Sequence, residues 1–149
     1  MRDALNNDLK VAMKSGDKRR VQTIRLINAA LKDKDIEARG QGKTMADADI
    51  LALLQKMVKS RQESLEIYQK AGRDDLALVE SEEIAILQDY LPKPMSEGDV
   101  AAAIDSAIAE IGAASIKDMG KVVALLKGRY AGQMDFGKAS GVVKAKLGG

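Results

Sequence analysis

The sequence has no cysteine and no histidine, and their absence removes several kinds of functional site. Without cysteine there are no disulfides, no thiolate zinc sites and no cysteine nucleophile. Without histidine, the commonest general base and the commonest metal ligand are missing. Catalysis would have to use Asp, Glu, Lys, Ser or Tyr. We therefore predict no catalytic residue, no metal site and no cofactor.

Aromatic residues and long apolar runs are also scarce. Aromatics make up 3% of the 149 residues, so Leu, Ile, Val, Ala and seven Met must form the core. No apolar run approaches the roughly 18 residues that would span a bilayer. The first ten residues, MRDALNNDLK, lack the apolar stretch of a secretory signal. These features predict a cytoplasmic protein without membrane association, and we expect a monomer.

The apolar residues that are present recur at helical spacing along nearly the whole chain, and no segment alternates as a strand would. Three pairs match the capping box that starts a helix, each just before such an apolar run. They are Thr44 with Asp47, Ser96 with Asp99, and Ser115 with Asp118. The pattern predicts an all-α protein.

The clearest boundary is at LPKPMS, residues 91–96, which holds the only two prolines, Pro92 and Pro94. Each proline disfavours helix at the residue before it. We therefore predict an N-terminal helical domain over 1–91 with about four helices, two of them long. A proline-rich linker over 92–95 would join it to a three-helix tail over 96–149.

The net charge is only +2, but the charge is unevenly distributed. Residues 1–43 and 115–149 each carry +5, whereas residues 44–94 and 95–114 each carry −4. Two explanations remain open at this point. The basic ends steer an anionic partner towards the protein, or they pack against the acidic middle.

Three stretches, in this order and spacing, resemble the GatB/YqeY family, and specifically its stand-alone YqeY-like members. The resemblance covers essentially the full length of the chain. It is carried by RLINAALKDKDIEARG (25–40), by EIAILQDYLPKPMSEGDV (83–100), and by Met119, Gly120, Lys121 and Val122 followed by Gly132, Asp135 and the Val143–Leu147 ending.

The resemblance implies a function for the C-terminal part. This part is similar to the tail domain of the B subunit of tRNA-dependent amidotransferases, which convert Glu-tRNA(Gln) or Asp-tRNA(Asn) to the amide form. In that family the tail contacts the tRNA elbow, while a separate, larger domain transfers the amide. Nothing in this sequence resembles that larger domain.

The candidate RNA-binding residues lie in the basic C-terminal segment. Lysine and arginine contact phosphates and carry little sequence information, although a solvated face is the ordinary explanation of such charges. A glycine within a helix permits close approach, either of a neighbouring helix or of an RNA backbone. Gly132 and Gly137 are better explained as turn residues. The candidates are Lys117, Gly120, Lys121, Lys127, Arg129 and Lys138.

A second basic patch lies near the start of the second predicted helix, where positive charge opposes the helix dipole. It consists of Lys18, Arg19, Arg20 and Arg25. Its partner is either the acidic ESEE at 80–83 or an RNA backbone, and we favour the internal partner.

Three hypotheses of function follow. The first is a non-catalytic, translation-associated module that binds tRNA or another structured RNA. The second is a helical adapter that binds a protein such as a translation-related enzyme. The third is an accessory to, or a participant in, carbon–nitrogen ligation with glutamine as the amido donor.

Overall fold

A computed structural model describes residues 1–148, and within them it contains seven α-helices and no strand. The all-α prediction is confirmed, with four helices before Pro92, two of them long, and three after it. The helices are α1 (Arg2–Ser15), α2 (Lys18–Gly40), α3 (Asp47–Lys70), α4 (Asp74–Gln88), α5 (Glu97–Ile111), α6 (Met119–Tyr130) and α7 (Phe136–Gly148), and a short 3-10 turn, Ile116–Asp118, precedes α6.

Local sequence sets most of the helix ends. Gly16 closes α1 in the left-handed conformation, with φ of 75°, which glycine adopts at little cost. The Asp17 carboxylate then accepts a hydrogen bond from the Arg20 N–H at 3.1 Å and so caps α2. Of the three predicted capping boxes, Ser96 accepts from the Asp99 N–H at 3.1 Å.

The other two predicted boxes form differently. The extended residue before α3 is Ala46, whose N–H donates to the Asp49 carboxylate at 2.8 Å, so Thr44 does not cap the helix. The Ser115 side chain makes no cap hydrogen bond, and the Asp118 carboxylate instead accepts from the Ala114 N–H at 3.1 Å. In the first case the helix begins after a different residue from the one that the spacing predicted. In the second, Ser115 is the extended residue before the 3-10 turn, but its hydroxyl makes no cap bond.

The chain divides into two compact units. The N-terminal unit is Met1–Leu91, and the C-terminal unit begins at Pro92. That each of them folds as an independent domain stays a prediction. The core of the N-terminal unit is built by α1 to α4 from Leu5, Ile24, Ile27, Leu31, Ile50, Leu54, Val58, Ile84 and Leu87.

A buried ion pair joins α3 to α4 within the N-terminal unit. The Arg61 Nε donates to Glu83 Oε2 at 2.8 Å, and the two side chains are only 17% and 8% exposed. A second guanidinium nitrogen of Arg61 reaches the Met57 carbonyl at 3.3 Å. The two charges compensate each other in a place where either one alone would be poorly solvated.

One carboxylate oxygen beside this pair, Glu80 Oε2, is buried without a hydrogen-bond partner. Desolvation, and to a lesser degree the nearby Glu83 charge, raises the pKa of Glu80 above its ordinary 4.5. A carboxyl whose pKa is raised by folding contributes most to stability when it is protonated, below its pKa in the unfolded chain. That stability is lost as the pH rises through its pKa in the folded protein. Ionised Glu80 therefore opposes folding at neutral pH.

We expect Glu80→Gln to raise the free energy of unfolding at pH 7. The gain should shrink as the pH falls through the ordinary carboxyl range, because wild-type Glu80 then becomes neutral as well. Urea unfolding at pH 7 and pH 4 checks this expectation, with the exposed Glu63→Gln on α3 as the control. An equal gain at both pH values would contradict it.

The C-terminal unit packs α5, α6 and α7 around its own core. The Met95 N–H donates to the Gln133 carbonyl at 3.0 Å, and the Met95 side chain packs on this core. The predicted linker segment is therefore tied at its last residue to the turn between α6 and α7. The buried residues are Ala103, Ile104, Ala107, Val122, Leu126, Met134, Ala139 and Val143.

Candidate nucleic-acid interface

Helix α6 has one buried face and one face of small and cationic residues. Val122 and Leu126 are 0% and 1% exposed, because they repeat at the spacing that places side chains on one side of a helix. The opposite side carries no large apolar side chain. Its exposed residues are Gly120, Lys121, Ala124, Lys127 and Gly128.

Gly120 lies open to solvent. A Cβ atom built on this residue would meet no heavy atom within 4 Å. No neighbouring helix needs the space, so the helix-packing explanation of Gly120 is wrong. What the glycine leaves is an uncovered stretch of backbone on the outer side of α6.

The two other glycines that were predicted as turn residues differ from each other. Gly132 has φ of 79° in the turn after α6, so the prediction is confirmed for it. Gly137 lies in the first turn of α7, and its φ is not positive, so the turn prediction is wrong there. The Asp135 carboxylate caps this turn by accepting from the N–H groups of Gly137 at 2.9 Å and Lys138 at 3.2 Å. A Cβ at Gly137 would lie 3.2 Å from that capping oxygen, so glycine gives the cap its room.

Helix α5 neutralises two cations of the C-terminal unit. Arg129 on α6 donates two hydrogen bonds to the Glu110 carboxylate, both at 2.6 Å. These bonds lower the pKa of Glu110 and raise that of Arg129. On α7, the Lys146 ammonium is paired with Asp105. Arg129 is thus engaged by Glu110 within the protein and is not counted among the candidate RNA contacts.

The other lysines of α6, of α7 and of the turn before α6 have no carboxylate partner in the part of the chain that the structure describes. All of them are exposed. Lys144 is an addition to the residues that the sequence singled out, and it lies on α7 together with Lys138. The five are Lys117 in the turn before α6, Lys121 and Lys127 on α6, and Lys138 and Lys144 on α7.

Charge is therefore separated within the C-terminal unit. Between residues 95 and 114, which include α5, the sequence has four acidic residues and no basic one. All four, Glu97, Asp99, Asp105 and Glu110, are exposed. Helices α6 and α7 carry the cations. An anion approaching this unit is attracted to α6 and α7 and repelled by α5.

The second basic patch divides into two pairs. Arg19 donates to Glu82 on α4 at 3.0 Å, and Arg20 donates to Asp89 at 2.8 Å. The hydrogen bond from Asp89 raises the pKa of Arg20. The internal partner predicted in the acidic middle of the chain is confirmed for Arg19, whose partner belongs to the ESEE segment.

Lys18 and Arg25, the other pair, make no ion pair among residues 1–148. They line an open cleft of about 620 Å³ between α1 and α2. Apolar side chains form much of its wall, and Met13 and Leu26 there are 55% and 40% exposed. The patch is thus a mixed apolar and cationic surface and not a continuous basic one.

Among residues 1–148, no three or more acidic side chains lie together as metal ligands would. None of the helices in this range has the length and hydropathy that crossing a bilayer requires.

Comparison with known proteins gives a consistent result. Residues 2–147 match the family described as Yqey-like protein. The chain is 35% identical over 109 residues to "Altered inheritance of mitochondria protein 41, mitochondrial" of Lachancea thermotolerans, which covers 72% of this chain and 57% of that protein. The protein of the same name from Pyrenophora tritici-repentis is 34% identical over 131 residues, covering 84% of this chain and 70% of its own length.

A third relative with this name, from Eremothecium gossypii, is 34% identical over 110 residues and covers 72% of this chain. The alignments span only 57% and 58% of the Lachancea and Eremothecium proteins. The names of these relatives assign them to mitochondria and do not mention RNA.

Proposed function

This chain belongs to the family of YqeY-like proteins, and from that premise we propose that its C-terminal unit binds tRNA or another folded RNA. The contacts would be made to the phosphate backbone by Lys117 in the turn before α6, by Lys121 and Lys127 on α6, and by Lys138 and Lys144 on α7. No chemical step is assigned to the chain in this proposal.

The observation that carries the proposal is the selective neutralisation of cations. Arg129 and Lys146 are held by carboxylates of α5, whereas the five lysines named above have no such partner within residues 1–148. Exposed lysines that serve only solubility would be expected to intermingle with carboxylates. In the C-terminal unit the carboxylates are instead concentrated on α5, away from these lysines.

The mode of binding that fits this surface is recognition of shape and backbone. The two aromatic side chains nearby, Tyr130 and Phe136, are half-buried and pack on the core of the C-terminal unit. They are not available as a stacking platform for unpaired bases. Lysines with small residues between them suit a folded RNA whose phosphates are displayed on a regular surface.

We also propose that the chain acts in a compartment where proteins are synthesised, because that is where tRNA is used. The sequence led us to expect the cytoplasm, and the names of the relatives point to mitochondria. Both compartments carry out translation, so the RNA-binding proposal is compatible with either.

The protein-adapter alternative would use the cleft between α1 and α2. Its apolar wall and its unpaired Lys18 and Arg25 fit an amphipathic helix with an acidic rim. This alternative and RNA binding are separated by one result. If the full chain fails to bind tRNA at about 50 mM salt, where phosphate contacts are strong, the adapter function is favoured.

The RNA-binding proposal is tested by Gly120→Gln, measured by the fluorescence anisotropy of labelled tRNA. Because a Cβ at this position would meet no heavy atom within 4 Å, we expect the substitution to stabilise α6 by up to about 1 kcal/mol. Because it covers exposed backbone on the proposed surface, we expect the affinity for tRNA to fall by roughly fivefold, the equivalent of about 1 kcal/mol.

The matched control is Gly98→Gln, the same change at an exposed glycine on the acidic helix α5, where a Cβ would make only ordinary contact at 3.9 Å. It should leave tRNA affinity unchanged. Equal affinities for wild type and both variants would remove Gly120 from the binding surface.

A further inference from the structure

The C-terminal unit contains the same short pattern twice. Residues 118–130 read DMGKVVALLKGRY, and residues 135–147 read DFGKASGVVKAKL. Both begin with aspartate, followed by methionine or phenylalanine, then glycine and then lysine. Both then place a second lysine at the same distance, followed by a small residue and a third cation.

The two copies also have the same environment in the structure. The two apolar positions of the first copy, Val122 and Leu126, are buried, and so are their counterparts Ala139 and Val143. The glycines and the first two lysines of both copies are exposed. The third cation of each copy forms an ion pair with α5, as described above for Arg129 and Lys146.

The shared ion-pairing fixes the direction in which the lysine faces point. Gly120 precedes Arg129 by about two and a half helical turns, so the two residues lie on opposite sides of α6. Gly137 has the same relation to Lys146 on α7. Since α5 holds the third cation of both helices, the glycine side of each helix is turned away from α5.

Helices α6 and α7 also pack directly against each other. Packed helices lie about 8–10 Å apart. The two lysine pairs, Lys121 with Lys127 and Lys138 with Lys144, therefore lie side by side on the side of the unit away from its acidic helix. The surface consists of two similar halves, each with exposed small residues between its lysines.

We infer that the two copies form two equivalent phosphate contacts, so that the C-terminal unit binds a double-helical segment of RNA with one helix on each strand. This inference rests on the proposed function and specifies its partner. A duplex presents two phosphate backbones on one side, across the shallow minor groove of its A-form helix. Each copy would meet one of them.

The test compares two matched double variants of the full chain, Lys121→Gln/Lys127→Gln and Lys138→Gln/Lys144→Gln, together with their combination. Binding of a fluorescent RNA hairpin with a long base-paired stem is measured at several salt concentrations. The control is Lys10→Gln/Lys14→Gln on α1, which removes the same charge from the N-terminal unit.

We expect the two pairs to weaken hairpin binding equally, to within about twofold, and the combined variant to show the product of the two losses. Each pair should also make the salt slope shallower by about 1.5, since each phosphate contact contributes roughly 0.7 to 0.9. The control should match wild type.

Failure of the inference differs from failure of the proposed function. If wild type binds the hairpin but only one pair matters, the two copies are not equivalent and the inference is overturned. If a single strand of the same length binds as tightly as the hairpin, the duplex is not the partner. If wild type binds neither RNA, the proposed function itself fails.

Discussion

Replacing Arg61 with methionine should destabilise the N-terminal unit by about 3–5 kcal/mol, the usual cost of leaving one member of a buried ion pair without its partner. Glu83 would then lose its ion pair with the Arg61 Nε, 2.8 Å away, while its side chain is 8% exposed. Glu80, whose second oxygen already has no hydrogen-bond partner, lies in the same region and adds a second negative charge.

Hydrogen exchange followed by mass spectrometry measures this effect within the full chain. Peptides from α3 and α4 should lose protection by two orders of magnitude or more, the equivalent of about 3 kcal/mol. Peptides from α5 serve as an internal reference, because α5 belongs to the C-terminal unit and the ion pair belongs to the N-terminal unit.

The matched control is the double variant Arg61→Met/Glu83→Leu, which removes both charges and keeps apolar volume in the gap. Replacing a whole buried pair in this way is often neutral or stabilising. We expect the double variant to recover most of the lost protection. If Arg61→Met alone is as protected as wild type, the ion pair does not stabilise the packing of α3 on α4.

Reversing two charges, Lys121→Glu with Lys127→Glu, should weaken tRNA binding on the order of 100-fold at low salt. Each substitution removes a phosphate contact and places a carboxylate where a phosphate would lie. Both side chains are exposed on α6, so the fold should tolerate the change, and circular dichroism melting can verify that it does.

Arg129→Gln provides a sharp comparison on the same helix. It removes one positive charge, but that charge is already bound to Glu110. We expect its tRNA affinity to stay within about twofold of wild type, because the net charge of the surface that meets RNA is unchanged. If Arg129→Gln were as damaging as the reversal of both lysines, net charge and not the lysine face would govern binding.

The fold could be predicted from the sequence because its determinants are local. Gly16 and Asp17 end one helix and cap the next, the capping serine before α5 lies where its spacing with Asp99 placed it, and Asp135 caps α7. The periodic apolar residues then became the buried faces of the helices. Where the box at Thr44 failed, the helix still began within the expected region.

The site was harder to predict because its organisation depends on residues that are distant in sequence. Arg129 and Glu110 are 19 residues apart, and Arg61 and Glu83 are 22 apart. No local pattern shows which cations such carboxylates neutralise. The sequence therefore grouped Arg129 with Lys121 and Lys127, and it grouped Arg19 and Arg20 with Lys18 and Arg25.

One further feature of the site could have been read from the sequence alone, and another could not. The recurrence of the pattern around Gly120 and Lys121 at Gly137 and Lys138 is visible there, and it would have added Lys144 to the candidate contacts. The exposure of Gly120 could not be predicted, because a glycine on a helix is equally suited to packing and to an open surface. Only the position of the neighbouring helices decides between them.

The most direct test of the central proposal is the salt dependence of tRNA binding by the wild-type chain. The logarithm of the binding constant is plotted against the logarithm of the salt concentration from about 50 to 300 mM. The five lysine contacts, each contributing about 0.7 to 0.9, should give a slope of about −3.5 to −4.5. A slope near zero, or no binding at the lowest salt, would contradict the proposal that these lysines meet an RNA backbone.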